Sequence, residues 1–256
     1  MTKERTLVID IGNRLAKIYV VRGDELGGRW VFMQSDPSWF NRLGDIAGKS
    51  KCRDAVLVSV IPDSIEQAQT ILSRAGLETL VIGGEMRLPI RLDYGSPKRL
   101  GADRIATAVG AWHFYSDDFG KKDDAIVIVD AGSAITIDLV KNGVFYGGAI
   151  MPGLNIMRNS LHRNTAQLPE TTEKIAPQFP GKGTEQCIIA GAISAATGAV
   201  DFLWNKFTGK SAKGKLILTG GDSEILAGHI EIPHIIDQLL LLKGAVAILD
   251  FKKNGA

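Results

Sequence analysis

The sequence predicts an α/β protein whose two halves are built on one plan. Between residues 55 and 82, a short buried run, a helical pattern and a second apolar run follow one another, which is typical of parallel strands joined by a crossover helix. In addition, an apolar run ends on Asp10, another ends on Asp130, and a glycine follows each two residues later. The offset between the copies, 130 minus 10, is about half of the 256 residues. We therefore expect each half to open with a strand, a carboxylate-bearing turn and two more strands.

The length and charge of the chain limit the number of domains and the kinds of partner that it can bind. The chain has 256 residues and a mass of 27.5 kDa, enough for one large domain or two of ordinary size. Thirty basic and 28 acidic side chains leave a formal charge of +2, which does not favour binding to nucleic acid. No apolar run approaches the roughly 20 residues of a membrane span, and the N-terminus lacks the apolar segment of a signal peptide. We expect a cytoplasmic protein with neither nucleic acid nor a membrane as partner.

Cysteine and histidine are too scattered to suggest a metal cluster. Cys52 and Cys187 lie far apart and without metal-ligand spacing, so we expect both to be core residues of a protein in a reducing compartment. The histidines are expected to be structural or at the surface; they are His113, His162, His229 and His234.

The elements of the first half follow from apolar spacing and from Gly and Pro. After three strands, a short helix carries Trp39, Phe40 and Leu43 on one face. Residues 55–60 are predicted as a buried strand, the segment after Ile61 as a helix ended by Gly76, and residues 77–82 as the next strand. An extended segment then leads into an Ala-rich helix over residues 98–112. The polar interval 116–124 is predicted as a boundary between an N-terminal domain, 1–118, and a C-terminal domain, 119–256.

The second half repeats the three-strand opening. A helix over 154–163, an irregular segment with three prolines over 168–183 and a long helix over 184–207 are predicted next. A strand over 215–219, a turn opening a helix at Asp222 and a last helix over 239–251 complete the chain. The long helix is rich in Ala and Gly on one face, so it can pack closely against a partner.

The two carboxylate-bearing turns suggest phosphate chemistry. At the end of a strand, the N–H groups of a small-residue turn can approach phosphate oxygens, while the carboxylate holds a cation. A single turn of this kind is better explained by an ordinary hairpin with an Asp-Gly type turn. Two facing turns, however, could clamp one polyphosphate from opposite sides.

A second candidate site is the start of the helix at Gly101, Ala102, Asp103 and Arg104. Asp103 could simply favour the helix dipole by a few tenths to ~1 kcal/mol, with Arg104 in solvent. Alternatively, the small residues leave room for an acidic ligand that bears a hydroxyl. Arg104 would then bind the carboxylate with a forked contact, and Asp103 would take the hydroxyl proton. The residues alone leave both interpretations open.

Three further stretches have two interpretations each. The segment Gly220, Gly221 and Asp222 is either a plain turn with a helix cap or a surface on which a flat nucleoside lies. The segment 147–153 is either a strand-to-helix turn or the wall of a ligand site. Thr184 is either a helix cap or a ligand contact.

Taken in order, six motifs resemble those of the type III pantothenate kinases. They are DIGN at 10–13, GADR at 101–104, DAGSAIT at 130–136, GGAIMPG at 147–153, GT at 183–184 and TGGD at 219–222. That family belongs to the acetate and sugar kinase, Hsp70 and actin superfamily. The resemblance implies two ribonuclease-H-like (actin-like ATPase) domains, a central cleft that binds ATP, and a homodimer whose interface helps to build the pantothenate pocket. It implies ATP-dependent phosphorylation of pantothenate to 4′-phosphopantothenate, the first step of coenzyme A biosynthesis.

The resemblance also implies roles for individual residues. Asp103 would be the general base, Asp10 would lie near Mg²⁺, and Asp130 would hold a monovalent cation, K⁺ or NH₄⁺. The positions that would contact ATP and its phosphates are Asp10, Gly12, Asn13, Arg14, Lys17, Gly132, Ser133, Gly220 and Gly221. The positions that would contact pantothenate are Tyr94, Gly101, Ala102, Asp103, Arg104 and Thr184.

Two positions depart from the family pattern. Arg14 stands where a Thr is usual, and Ser133 replaces the Thr of the second turn. Ser133 keeps a hydroxyl, whereas Arg14 replaces a hydroxyl with a long cation that can reach a phosphate. We therefore expect nucleotide affinity to differ from that of the family at large.

Two other functions fit the same resemblance. One is a non-catalytic accessory protein that affects transcription, and the other is a kinase or phosphatase of the superfamily acting on a sugar or a polyphosphate. The presence of Asp103, Arg104 and Asp130 favours the kinase over the accessory protein.

Overall fold

The computed structural model describes residues 4–23, 25–116, 125–171, 176–209 and 214–255. The strands are β1 (Arg5–Ile11), β2 (Leu15–Arg22), β3 (Glu25–Met33), β4 (Asp54–Ser59), β5 (Glu78–Val81), β6 (Arg91–Leu92), β7 (Ala125–Ala131), β8 (Ala134–Lys141), β9 (Val144–Pro152), β10 (Gly214–Thr219) and β11 (His234–Ile236). The α-helices are α1 (Trp39–Ser50), α2 (Pro62–Arg74), α3 (Ala102–Tyr115), α4 (Leu154–Asn164), α5 (Thr184–Thr208), α6 (Ser223–Ala227) and α7 (Leu240–Lys253). The predicted α/β class is confirmed.

The chain divides into two compact units. The first contains residues 1–117, 143–146 and 239–256, and the second contains 118–142 and 147–238. Most of the interval proposed as the domain boundary, residues 117–124, lies outside the described residues.

A five-stranded sheet, in the order β3-β2-β1-β4-β5, forms the centre of the first unit. β1 pairs antiparallel with β2, as the predicted hairpin requires, and parallel with β4. β4 in turn pairs parallel with β5, as the predicted crossover helix between them requires. α1 buries Trp39, Leu43 and Ala47 at helical spacing, and α2 buries Ala68 and Leu72 in the same core. These faces cover one side of the sheet, which holds the end of β1 and its turn in place.

The last helix differs from the predicted domain limits, because α7 belongs to the first unit and not to the C-terminal domain 119–256. Its buried face packs against α3, where Gly110 and Gly244 bring the two backbones together. Near its end, Lys253 pairs with the buried Asp54 at the start of β4. Periodicity indicates that such a helix is half buried, but it does not indicate which partner buries it.

Strands β7 to β11 lie in the order β11-β10-β7-β8-β9, and β7 is antiparallel to β8 but parallel to β10. In the second unit, Ile189, Ile193 and Val200 on one face of α5 pack on the core side of this sheet. The short β6 pairs with Val144 and Phe145 at the start of β9, within the first unit.

Two expectations from composition need correction. Cys187 is exposed and not in the core, because it lies on the outer face of α5; Cys52 is half-buried, and burial raises the pKa of its thiol. By length and composition alone, the 25-residue α5 is also apolar enough to cross a membrane, contrary to the expectation from apolar runs. Its contacts in the core of the second unit account for one apolar face.

Candidate active site

The first carboxylate-bearing turn joins β1 to β2. The Gly12 N–H donates to the Leu15 carbonyl at 3.0 Å, which closes a tight turn. Asn13 and Arg14 occupy its tip and are exposed. Backbone and side chains of this turn are therefore accessible to a ligand, as phosphate contact requires.

Asp10 is held beside Lys17 by the register of this hairpin. The two residues are opposite each other in the ladder, and Lys17 Nζ donates to Asp10 Oδ2 at 3.2 Å. Burial raises the pKa of the Asp10 carboxyl, Lys17 lowers it, the negative charge of Asp103 raises it, and the net direction is upward. The folded chain thus holds a carboxylate that gains from additional positive charge.

Asp103 lies in the first turn of α3, two residues after the capping residue Gly101. Its Oδ1 accepts the backbone N–H of Arg104 at 2.8 Å, and a Cβ at Gly101 would collide with this oxygen. The negative charge of Asp103 contributes to the raised pKa of Asp10, so the two carboxylates of the first unit are near enough to interact electrostatically. The structure thus brings the predicted base and the predicted metal ligand into one place.

Arg104 is not a solvated surface residue, because it is only 7% exposed. Its Cζ lies 5.8 Å from the ring centroid of Tyr94 and 5.5 Å from that of Phe145. Burial therefore excludes the interpretation in which Arg104 is solvated and leaves the one in which it binds a ligand. Phe145 was missed by sequence analysis, because it lies 41 positions further along the chain (145 minus 104) in a strand that looks like any other.

The second carboxylate-bearing turn joins β7 to β8. The Gly132 N–H donates to the Ala134 carbonyl at 3.0 Å, and the Gly153 N–H donates to the Ser133 carbonyl at 3.0 Å. A Cβ at Gly153 would collide with the carbonyl oxygens of Gly132 and Ser133. The end of the 147–153 segment therefore supports this turn from behind, and the Ser133 side chain is exposed.

The Gly220–Gly221 turn lies directly against Asp130. Gly220 has a φ of +88°, and a Cβ there would be 2.5 Å from Asp130 Oδ1. The Asp222 N–H donates to the Ala131 carbonyl at 2.9 Å. Asp222 occupies the capping position of α6 but makes no side-chain capping bond, so the plain-cap interpretation does not explain it.

Thr184 is the first residue of α5, and the capping position belongs to Gly183. The helix-cap interpretation of Thr184 therefore fails, and its side chain is exposed. Within the described part of the chain, no hydrogen bond or ion pair joins Thr184 to the other predicted site residues of the second unit.

The Asp10 carboxylate suits a divalent metal ion that binds together with substrate phosphates. Among the residues that the structure describes, no three His, Cys, Asp or Glu side chains are grouped as a ready-made metal site. Mg²⁺ is commonly held by one or two carboxylates together with substrate phosphates and water. Asp10, partly buried and next to an exposed turn, fits that donor set.

Solved structures share the fold. A Campylobacter jejuni protein described as a Baf family transcriptional activator gives a TM-score of 0.61 at 24% identity, covering 97% of this chain and 99% of the other. MreB5 of Spiroplasma citri bound to ADP gives a TM-score of 0.52 at 12% identity, covering 98% of each chain. At this identity the likeness concerns the fold alone, which is the two-domain actin-like ATPase fold that the sequence resemblance implies.

Sequence relatives identify the family. The type III pantothenate kinase of Christiangramia forsetii is 33% identical over 250 residues, covering 97% of this chain and 99% of the relative. The type III pantothenate kinase of Porphyromonas gingivalis W83 is 32% identical over 250 residues, covering 96% and 98%. The family model for type III pantothenate kinase matches residues 6–206. Together with the six motifs in their places on this fold, these matches show that the chain belongs to the type III pantothenate kinase family.

Proposed function

We propose that this chain transfers the γ-phosphoryl group of ATP to the primary hydroxyl of pantothenate, giving 4′-phosphopantothenate and ADP. The family match over residues 6–206 carries this assignment. The reaction is the first step of coenzyme A biosynthesis, and ATP with a divalent metal is the phosphoryl donor. Catalysis of this kind depends on positioning and charge stabilisation more than on covalent chemistry.

Acceptor binding is assigned to the start of α3 and its neighbours. Arg104 binds the carboxylate of pantothenate, with Tyr94, Gly101 and Ala102 beside it and Thr184 as a further contact. Asp103 receives the proton of the attacking hydroxyl. Because its Oδ1 already accepts the Arg104 N–H at 2.8 Å, Oδ2 is the oxygen assigned to that proton.

Phosphate binding in the first unit is assigned to the turn after β1. Gly12, Asn13 and the exposed Arg14 contact phosphate oxygens, and Lys17 contributes positive charge. Asp10 is the residue that would hold Mg²⁺, which neutralises phosphate charge when it is bound. The raised pKa of Asp10 supports this role, since a cation compensates for the burial of the carboxylate.

The second unit is assigned the monovalent cation and the rest of the nucleotide. Asp130 holds K⁺ or NH₄⁺, and Gly132 and Ser133 contact phosphate through the exposed turn. Gly220 and Gly221 lie beside adenosine. The contact between Gly220 and Asp130 supports a common site for these residues.

We also propose a homodimer that forms through the outer face of α5. Small exposed residues follow one another on this face at Gly191, Ala195 and Gly198, and Phe202 is 60% exposed. A stripe of this composition allows two helices to approach closely.

Pantothenate-dependent release of ADP tests the function. We expect ADP release only when ATP, Mg²⁺ and pantothenate are all present, with faster turnover in K⁺ or NH₄⁺ than in Na⁺. The Asp130→Ala variant should lose the difference between K⁺ and Na⁺, because the cation ligand is gone. No pantothenate-dependent ADP in K⁺ would refute the function, and an unchanged K⁺ response in Asp130→Ala would refute the cation assignment alone.

A further inference from the structure

Phe145 is a fully buried residue that none of the six motifs contains. It lies in the segment 143–146, which belongs to the first unit although the neighbouring residues of the chain belong to the second. Its side chain is 0% exposed. The residue is therefore placed by its contacts in the first unit, and those contacts lead to the acceptor site.

The ring of Phe145 forms part of an aromatic environment around Arg104. The Arg104 Cζ lies 5.5 Å from the Phe145 centroid and 5.8 Å from the Tyr94 centroid. The two rings are 6.0 Å apart and inclined at 53°. Both distances from the cation are within the range of cation–π attraction.

The backbone of Phe145 also fixes the residues that precede Tyr94. Leu92 and Phe145 are partners in the parallel pairing of β6 with β9. The Asp93 N–H donates to the Phe145 carbonyl at 2.9 Å, one residue before Tyr94. The Phe145 side chain thus contacts the Arg104 guanidinium, and its backbone fixes the position of Asp93, the residue before Tyr94.

A guanidinium recognises a carboxylate best when its planar fork has one orientation. Arginine is a flexible side chain, and a buried guanidinium that lost its aromatic neighbours would reorient toward other partners. We propose that Phe145 is a positioning residue, which orients Arg104 toward the carboxylate of the acceptor and thereby sets the preference for acidic over neutral acceptors. This inference rests on the proposed function, since it refines how the same site selects its substrate.

Competition between an acidic and a neutral acceptor tests the inference. Pantothenate and pantothenol share the reacting hydroxyl, but pantothenol carries an alcohol in place of the carboxylate. In Phe145→Leu, we expect the ratio of kcat/KM for pantothenate to kcat/KM for pantothenol to fall about tenfold, through a higher KM for pantothenate. The kcat and the KM for ATP should stay close to those of the wild type.

Two controls separate positioning from loss of stability. Leu72→Ala removes another fully buried side chain of the first unit, away from Arg104, and should lower the melting temperature without changing the ratio. Phe145→Met, which fills the space without a ring, should change the ratio as Phe145→Leu does, and it serves if the leucine variant does not fold. In an Arg104→Gln background, Phe145→Met should have no further effect on the ratio.

The outcomes distinguish a failure of the role assigned to Phe145 from a failure of the proposed function. An active wild type whose ratio is unchanged in folded Phe145→Leu and Phe145→Met overturns the role of Phe145 only. A ratio that falls equally in Leu72→Ala also overturns it, because general loosening would then be the cause. A folded wild type without pantothenate-dependent turnover refutes the proposed function itself.

Discussion

At the scale of single residues, Asp103 owes its proposed role to its place in a helix. A first-turn aspartate is common, but here its Oδ1 is already engaged by the Arg104 N–H and its charge acts on Asp10. Neither interaction can be predicted from the GADR motif at 101–104 alone. The structure thus shows that this first-turn acid interacts electrostatically with Asp10.

Asp103→Asn should lower kcat by at least about 100-fold, because the amide cannot accept the hydroxyl proton. The amide oxygen can still accept the Arg104 N–H, so the helix start and ATP affinity should be preserved. Steady-state kinetics and nucleotide titration measure both quantities. Asp63→Asn, in the exposed first turn of α2, is the matched control and should keep full turnover. Near-native turnover in Asp103→Asn would show that Asp103 is not the base.

Asp10→Asn should increase thermal stability at neutral pH in EDTA without nucleotide. The folded pKa of Asp10 is raised above its ordinary value of 3.8, mainly by burial. The folded state therefore binds the proton more tightly than the unfolded state, and stability is lost as pH rises from about 3.8 through the folded value. The variant should melt at a higher temperature than the wild type at pH 7, and this gain should shrink toward pH 4. A gain that is equal at both pH values would contradict burial as its cause.

At the scale of elements, helix packing depends on glycines whose need the sequence does not reveal. In α3 and α7, a Cβ at Gly244 would collide with the Ala106 carbonyl, and one at Gly110 would be 2.5 Å from the Leu240 carbonyl. In α1, a Cβ at the exposed Gly48 would meet nothing within 4 Å. All three glycines look alike in a helical pattern, and only the crossing of α3 with α7 distinguishes them.

Gly244→Ala should destabilise the chain by about 1–3 kcal/mol, or roughly 2–12 °C in melting temperature. The added methyl group forces the backbones of α3 and α7 apart. Gly48→Ala is the matched control and should stabilise by up to about 1 kcal/mol, since it only improves helix propensity. Thermal unfolding of both variants provides the comparison, and a Gly244→Ala protein as stable as the wild type would show that the two helices do not pack this closely.

At the scale of the whole molecule, association depends on surfaces that a single chain leaves exposed. The outer face of α5 combines small residues with an exposed Phe202, while the inner face is fixed in the core of the second unit. The inner face is therefore explained by packing within the chain, and the outer face is the surface that we assign to the proposed homodimer.

If the proposed homodimer forms through α5, Gly198→Glu should convert it into a monomer, because a charged side chain would stand where the two α5 helices meet. Gly198 and Gly48 are both exposed helical glycines at which a Cβ meets nothing within 4 Å. Gly48→Glu is therefore the matched control and should leave the mass in solution unchanged. Light scattering coupled to gel filtration measures the mass of each variant. A Gly198→Glu protein that stays dimeric would place the interface elsewhere.

The sequence by itself determined the class of fold, the position of most elements and the family. Some patterns are local: the apolar runs before Asp10 and Asp130, the glycines after them, and the spacing of apolar residues in α1 and α2. Local patterns predict an element without knowledge of the elements that pack against it. The order of the motifs identified the family, because six short motifs at suitable spacing are specific in combination although each is weak alone.

The tertiary structure decided which distant residues meet. It placed Phe145 beside Arg104. It also packed α7 on α3 and joined Lys253 to Asp54, so that α7 belongs to the first unit. It also showed that Arg104 is buried and that Thr184 does not cap α5. Periodicity reports how much of an element is buried, whereas the partner that buries it is chosen by packing across the whole chain.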